Sequence, residues 1–168
     1  MRIEPAAADD ARAVAQVQVD AWRAAYVGIV PDAYLAAMSV DEREAMWREA
    51  ITAGQPELLV ARLADRVIGW VSFGASRGKE APPDEGEVWA IYLDPQHVST
   101  GAGRALWTAA RRRLAERGFK SVILWVLAGN ARAIRFYEKA GFSLDAGSAQ
   151  HFTIDGREIE ELRYVATL

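Results

Sequence analysis

The chain of 168 residues contains no cysteine. That absence removes disulfides, thiolate metal sites and any cysteine nucleophile together. Histidine is scarce as well. His97 and His151 are the only two, far apart in sequence, and they form no local ligand cluster, so no metal site is expected. No apolar run nears the roughly 20 residues a bilayer requires, so a membrane role is not expected. The opening "MRIEPAAADD" has a basic residue but no apolar stretch behind it, which does not read as a secretory signal; a cytoplasmic location follows as the expectation. A net charge of −3 lacks the basic excess of a general nucleic-acid binder. With no repeat, low-complexity tract or linker, residues 1–168 read as a single domain able to bury a normal core.

The charge that is present is unevenly spread. "GRALWTAARRRLAERGFK" carries Arg104, Arg111, Arg112, Arg113, Arg117 and Lys120 against Glu116 alone, whereas the first third of the chain is rich in Asp and Glu. A solvated helix face is the plain account of such a run; a face for anions is the other.

Apolar spacing orders the chain. "RIEPA" suits a short strand stopped by Pro5, and Asp9 or Asp10 can cap a helix running to about Tyr26. "PDAYLAAM" predicts a second short helix with Pro31 at its start, and "DEREAMWREAIT" a third opened by Asp41. "ELLVARLA" and "RVIGWVSFG" meet at Asp65 and Arg66 as a hairpin. The loop "SRGKEAPPDEGE" leads to the strand "EVWAIYLD", in which strict alternation puts Glu87, Trp89 and Ile91 on one face. A helix from about Gly103 to Arg117, a buried strand "SVILWVL" and a helix from Asn130 to just before Gly141 follow. Asp155-Gly156 marks a terminal hairpin. This order predicts an α/β fold, a mixed sheet with helices on both faces.

Between the strand end at Pro95 and the arginine-rich helix stands "STGAGRAL", Ser99–Leu106. A helix start offers unpaired N–H groups and a positive dipole end, and small residues let an anion come close to them. By itself Gly101-Ala102-Gly103 is a weak signal: it is neither a P-loop nor a dinucleotide fingerprint.

Twenty-seven residues after Gly103 the chain reads "NARAIRFYEKAGF", Asn130–Phe142. This segment and the strand–"GAG"–helix unit before it together resemble the GNAT superfamily of acetyl-CoA-dependent N-acetyltransferases. The resemblance runs from the strand at Glu87 to the terminal hairpin, and the N-terminal helices and antiparallel strands also look like the family's. It implies a mixed, mostly antiparallel twisted sheet flanked by helices. It further implies acetyl transfer from acetyl-CoA to a primary amine of a small molecule or peptide. By the same resemblance the backbone of Ile91, Tyr92 and Leu93 would hold the pantetheine arm. The amides of Val98, Ser99, Thr100, Gly101, Ala102, Gly103 and Arg104 would take the pyrophosphate, and Asn130 would touch the cofactor from the next helix. Tyr137 matches the tyrosine that protonates the departing thiolate, and Glu87 a position where several members carry a catalytic glutamate. Asparagine is also a favoured helix N-cap, and Glu87 also reads as a strand-end carboxylate beside Glu85. One departure is Val98, which stands where the family usually has Gln or Arg and is expected to weaken cofactor affinity, with the Ser99 and Thr100 hydroxyls as compensation.

The chemistry calls for two proton movements. An amine is mostly ammonium near pH 7, so a base must take a proton before attack, and the thiolate must be neutralised as it leaves. Without cysteine, direct attack in a ternary complex is the simpler scheme. Trp89 is expected to wall a low-dielectric pocket beside Glu87, and Tyr26 and Tyr34, flanking the Gly28–Pro31 break, to touch the acceptor. The competing reading is a non-catalytic acyl-CoA-binding regulatory module. A homodimer through the apolar C-terminal strand "LRYVATL" is a further expectation.

Overall fold

A computed structural model describes all 168 residues. Strand β1 (Arg2–Pro5) is followed by one 3₁₀ turn and by helices α1 (Ala11–Ala25), α2 (Asp32–Ala37) and α3 (Val40–Ala53). Strands β2 (Glu57–Leu63), β3 (Arg66–Ala75) and β4 (Glu85–Leu93) come next. The chain continues through α4 (Ala102–Glu116), β5 (Ser121–Leu127) and α5 (Ala131–Lys139). It ends with β6 (Ser143–Leu144), β7 (Gln150–Ile154) and β8 (Arg157–Thr167). All eight strands form one sheet in the order β1-β2-β3-β4-β5-β8-β6, with β7 also on β8. Only the β4–β5 pair is parallel.

The terminal two-residue turn is where turn chemistry put it, and the β2–β3 turn lies one residue before the Asp65–Arg66 expected, Arg66 being the first residue of β3. Ala64-Asp65 closes β2 on β3, and Asp155 and Gly156, both at positive φ, close β7 on β8. Two caps differ from expectation. Asp10 does not cap α1 with its side chain; its carboxylate accepts the Ala7 N–H at 3.0 Å and pairs with Arg62 at 2.8 Å, tying the helix start to β2. Helix α3 is capped by Ser39, whose hydroxyl accepts the Glu42 N–H at 3.2 Å, rather than by Asp41.

Helices cover both faces. On one, α4 sets Leu106, Ala110 and Leu114 against Val71, Phe73, Val88, Val122 and Leu124. On the other, α1 and α3 bury Val14, Trp47, Val60 and Trp70. Trp70 is fully buried, yet its indole donates to the Val14 carbonyl at 2.9 Å, so no polar group is left unmet. Trp47 packs edge-on against it and donates to Gln18 at 2.8 Å. Truncating a buried aromatic of this kind costs about 3–5 kcal/mol.

The C-terminal strand is not a free edge, contrary to the expectation that "LRYVATL" pairs with a second chain. It lies inside the sheet, paired with β5 over Glu161–Thr167 and on its other side with β7 and β6. No helix is long and apolar enough to cross a membrane.

Candidate active site

The site begins with an irregularity in β4. Ser72 pairs with Ala90 while the next residue, Phe73, pairs with Val88, so Trp89 is an extra residue in the strand. Such a bulge bends its strand and reverses the alternation beyond it. Val88, Ile91 and Leu93 accordingly pack on the α4 side, and Ala90 and Tyr92 pack on the α1 side. Glu87 and Ile91 therefore lie on opposite faces, which corrects the alternation read from "EVWAIYLD".

The bend has a second effect. Strands β4 and β5 pair only from Glu85–Ser121 to Val88–Leu124, and beyond that point they diverge. The gap is a cavity of about 550 Å³. Ile91, Tyr92 and Leu93 line one wall, Trp125 and Val126 of β5 the other, and the starts of α4 and α5 its mouth. Because β4 has no partner strand along this gap, its N–H and C=O groups there are available to an extended ligand.

At the mouth, Gly101 caps α4 with φ +93, a left-handed conformation that glycine adopts without strain. A Cβ on Gly103 would stand 3.4 Å from both Leu93 and Phe136, at ordinary contact distance, so there is room for a methyl but not for a larger side chain without moving them or filling the cavity. Val98, Ser99, Gly101, Gly103 and Arg104 line the cavity, and Arg132, in the first turn of α5, adds a second cation. Ala102 is buried behind the turn. The Thr100 hydroxyl donates to the His97 carbonyl at 2.7 Å, so it closes the loop rather than replacing the side chain missing at Val98. Exposed amides at a helix start, small residues and two arginines fit a pyrophosphate-bearing ligand. Asn130 lines the same cavity and caps α5, accepting the Ala133 N–H at 3.2 Å, so the N-cap read for it is present and its position is on the cavity wall.

Tyr137 reaches the cavity from α5, Tyr92 from β4 and Tyr26 from the end of α1. Burial pushes all three phenols up, Tyr26 and Tyr137 furthest. They stay protonated and able to donate at any working pH. Tyr34 is not in this group; it sits beside Trp22, ring centroids 6.2 Å apart, in the cluster under α2.

Glu87 is 2% exposed and does not line the cavity. One of its oxygens accepts the Arg77 backbone N–H at 2.9 Å, and the other accepts two guanidinium N–H groups of Arg77, the Nε one at 3.0 Å. The guanidinium also stacks over Trp89, 4.5 Å from the ring centroid. Trp89 lines the cavity but on this side carries a cation, where an uncharged wall beside Glu87 was expected. Three residues escaped the sequence reading. Trp125 was hidden in the apolar run of β5, and Arg77 stood in a loop without a motif. Arg132 carried a usable signal, a cation in the turn after an N-cap.

Residues 18–142 match the model of the Acetyltransferase (GNAT) family. The chain is 33% identical over 161 residues to YuaI of Bacillus subtilis, an uncharacterized N-acetyltransferase, covering 95% of this chain and 89% of that one. A mycothiol acetyltransferase of Kocuria rhizophila is 40% identical over 78 residues, 46% of this chain and 26% of its own length. Among solved structures, the PaiA N-acetyltransferase of Thermoplasma acidophilum in complex with coenzyme A superposes with a TM-score of 0.79 at 19% identity, over 100% of both chains. The protein yncA of Salmonella typhimurium, solved with acetyl-CoA, gives 0.77 at 26% identity, over 100% of this chain and 94% of that one. This chain belongs to the GNAT family of acetyltransferases. It is therefore an acetyltransferase.

Proposed function

We propose that the protein moves the acetyl group of acetyl-CoA to a primary amine of a small molecule or peptide, by direct attack with both substrates bound. The observation that carries this reading is the cavity between β4 and β5, which joins the α4 start on one side to Tyr26 and Trp89 on the other. In this reading donor and acceptor meet inside it. The amides from Val98 to Arg104 hold the pyrophosphate, the free backbone of Ile91–Leu93 holds the extended arm, and Asn130 and Arg132 flank it. Bound there, the thioester supplies an activated acyl carbon.

Tyr137 donates its hydroxyl hydrogen to the sulfur as the carbon–sulfur bond lengthens. A buried phenol is a weak acid, but the same desolvation raises the proton affinity of a thiolate beside it, so the transfer is not uphill by the full difference in water. The reading is tested by calorimetric titration with acetyl-CoA, followed by thiol release against a panel of primary amines. Binding with release establishes acetyl transfer. Binding without release from any amine favours an acyl-CoA-binding module instead.

A further inference from the structure

The proposed reaction needs a base, and Glu87 has both carboxylate oxygens engaged by Arg77. A second carboxylate lies on the same face. Glu161 of β8 is opposite Leu127, and Arg163 is opposite Trp125. Since Leu162, Tyr164 and Ala166 face the α4 core, Glu161 and Arg163 face the α1 side, as Trp125 and Leu127 do. Trp125 and Glu161 are thus diagonal neighbours, with about 7–8 Å between positions of this kind and side chains in reach of each other. The β4 side of Trp125 has lost its strand partner to the bulge and faces the cavity. Trp89 lines that cavity from the opposite strand.

We infer that Glu161, which stands beside Trp125 just outside the cavity lining, draws the alkylammonium form of the acceptor between Trp125 and Trp89 and takes its proton, directly or through one water. The inference rests on the acetyl-transfer reading above and names the acceptor's binding form and its base. The Glu161 carboxylate has no hydrogen bond or ion pair, unlike Glu85 and Glu87, whose arginines are Arg163 and Arg77. An ammonium supplies the missing charge, and indole faces stabilise it further.

The groups around Glu161 can be named. Arg77 and Glu87 face it from the β3–β4 side, and Arg163 from its own strand, where it is neutralised by Glu85 and Asp145. Gln150 opposite on β7 and Leu127 on β5 are uncharged. Burial pushes the Glu161 carboxyl up, Arg77 draws it back, and Glu87 raises it again. That direction suits a base working toward neutral pH.

The step balances. The ammonium gives one proton to Glu161, and the freed nitrogen lone pair forms the bond to the acetyl carbon. The carbon–sulfur bond breaks with its pair going to sulfur, the second nitrogen proton reaches that sulfur by way of Tyr137, and Glu161 returns its proton to water.

Two readouts test this on the full chain. The first follows indole N–H resonances of the coenzyme A-saturated protein on addition of n-butylammonium, with neutral 1-pentanol as the shape control and Trp125→Phe for assignment. Saturable movement of the Trp125 signal by the cation alone, abolished in Glu161→Gln, is expected. Equal movement by pentanol, or no movement, overturns the site. The second is thiol release with the amine the panel selects. Glu161→Gln is expected to lower kcat at least 100-fold and remove the acidic limb of the pH profile, with acetyl-CoA Kd unchanged within twofold and partial rescue in Glu161→Asp. A Glu161→Gln enzyme that keeps rate and limb overturns the base. Should the wild type bind acetyl-CoA yet release no thiol from any amine, the acetyl-transfer reading fails, while the indole titration still decides the cation site.

Discussion

Glu87 and Ile91 are four residues apart on one strand, yet they face opposite sides of the sheet. The cause is Trp89, the extra residue between the Val88–Phe73 and Ala90–Ser72 pairs. One insertion produces both features of the site: it leaves Ile91–Leu93 without a partner on β5, and it sends Tyr92 toward the α1 side while Val88 and Ile91 hold the core. Deleting Trp89 keeps every flanking residue on its present face but restores a regular strand. The expected outcome is a folded protein, by circular dichroism, whose acetyl-CoA affinity falls at least tenfold, or about 1.4 kcal/mol. Unchanged affinity in calorimetry would separate the bulge from the binding cleft.

Glu87 and Arg77 are unequal partners. The carboxylate is almost fully buried, whereas the guanidinium is half exposed over Trp89. Removing Arg77 strands a buried charge, and removing Glu87 leaves a cation that water can reach. Arg77→Ala is expected to destabilise by about 3 kcal/mol in denaturant unfolding, and Glu87→Gln by about 1 kcal/mol. The reverse order would mean that Arg77 does not satisfy Glu87.

Tyr137 offers a direct separation of binding from chemistry. Tyr137→Phe keeps the ring that packs against Phe136 and Phe142 and deletes only the donor. Its kcat is expected to fall about 100-fold, within the range for general acids, with acetyl-CoA Kd nearly unchanged. A matching loss of affinity would make the hydroxyl a binding contact and nothing more.

The glycine turn separates strain from crowding. Gly101 has open space around it but φ +93, so Gly101→Ala is expected to cost about 1–2 kcal/mol of stability through the backbone alone. Gly103 has no such φ but lines the cavity, so Gly103→Val is expected to act on acetyl-CoA affinity, by tenfold or more, through Leu93 and Phe136. Unfolding curves and calorimetry on the two variants check the assignment.

Local signals carried most of the fold. Breaks at Pro31, Gly54 and Pro95, the terminal tight turn and the run "SVILWVL" are decided by nearby residues, and the elements formed where those residues said. Asn130 and Tyr137 were legible for the same reason, since a cap and a helix position are set within a few residues. The bulge was not, because it is a matter of register against β3, and nothing within "EVWAIYLD" marks the extra residue. That unseen shift misplaced Glu87 relative to Ile91, and with it the expected acceptor wall. Ser39 displaced Asp41 as a cap because its hydroxyl stands three residues before an amide it can reach. Glu161 and Arg77 meet Glu87 only through the sheet, at sequence separations no local pattern can span.

Glu161 also gives a prediction about stability whose sign follows from its surroundings. In the unfolded chain its carboxyl has an ordinary value, about 4.3. Folding raises it, first through burial and further through Glu87, against the pull of Arg77. The native state therefore holds this proton more tightly than the unfolded state does. Stability from this group is greatest below the unfolded value and declines as pH rises through the folded one. Glu161→Gln removes the titration. Its melting temperature is expected to match the wild type near pH 4 and to exceed it at pH 7–8, by a small margin because the group is only partly buried and is screened. A variant both more stable and less active is what a residue kept for chemistry rather than for folding would give. A variant less stable than the wild type at neutral pH would mean that the Glu161 carboxylate is held by favourable contacts in the native protein, which would leave it no free lone pair for an incoming ammonium.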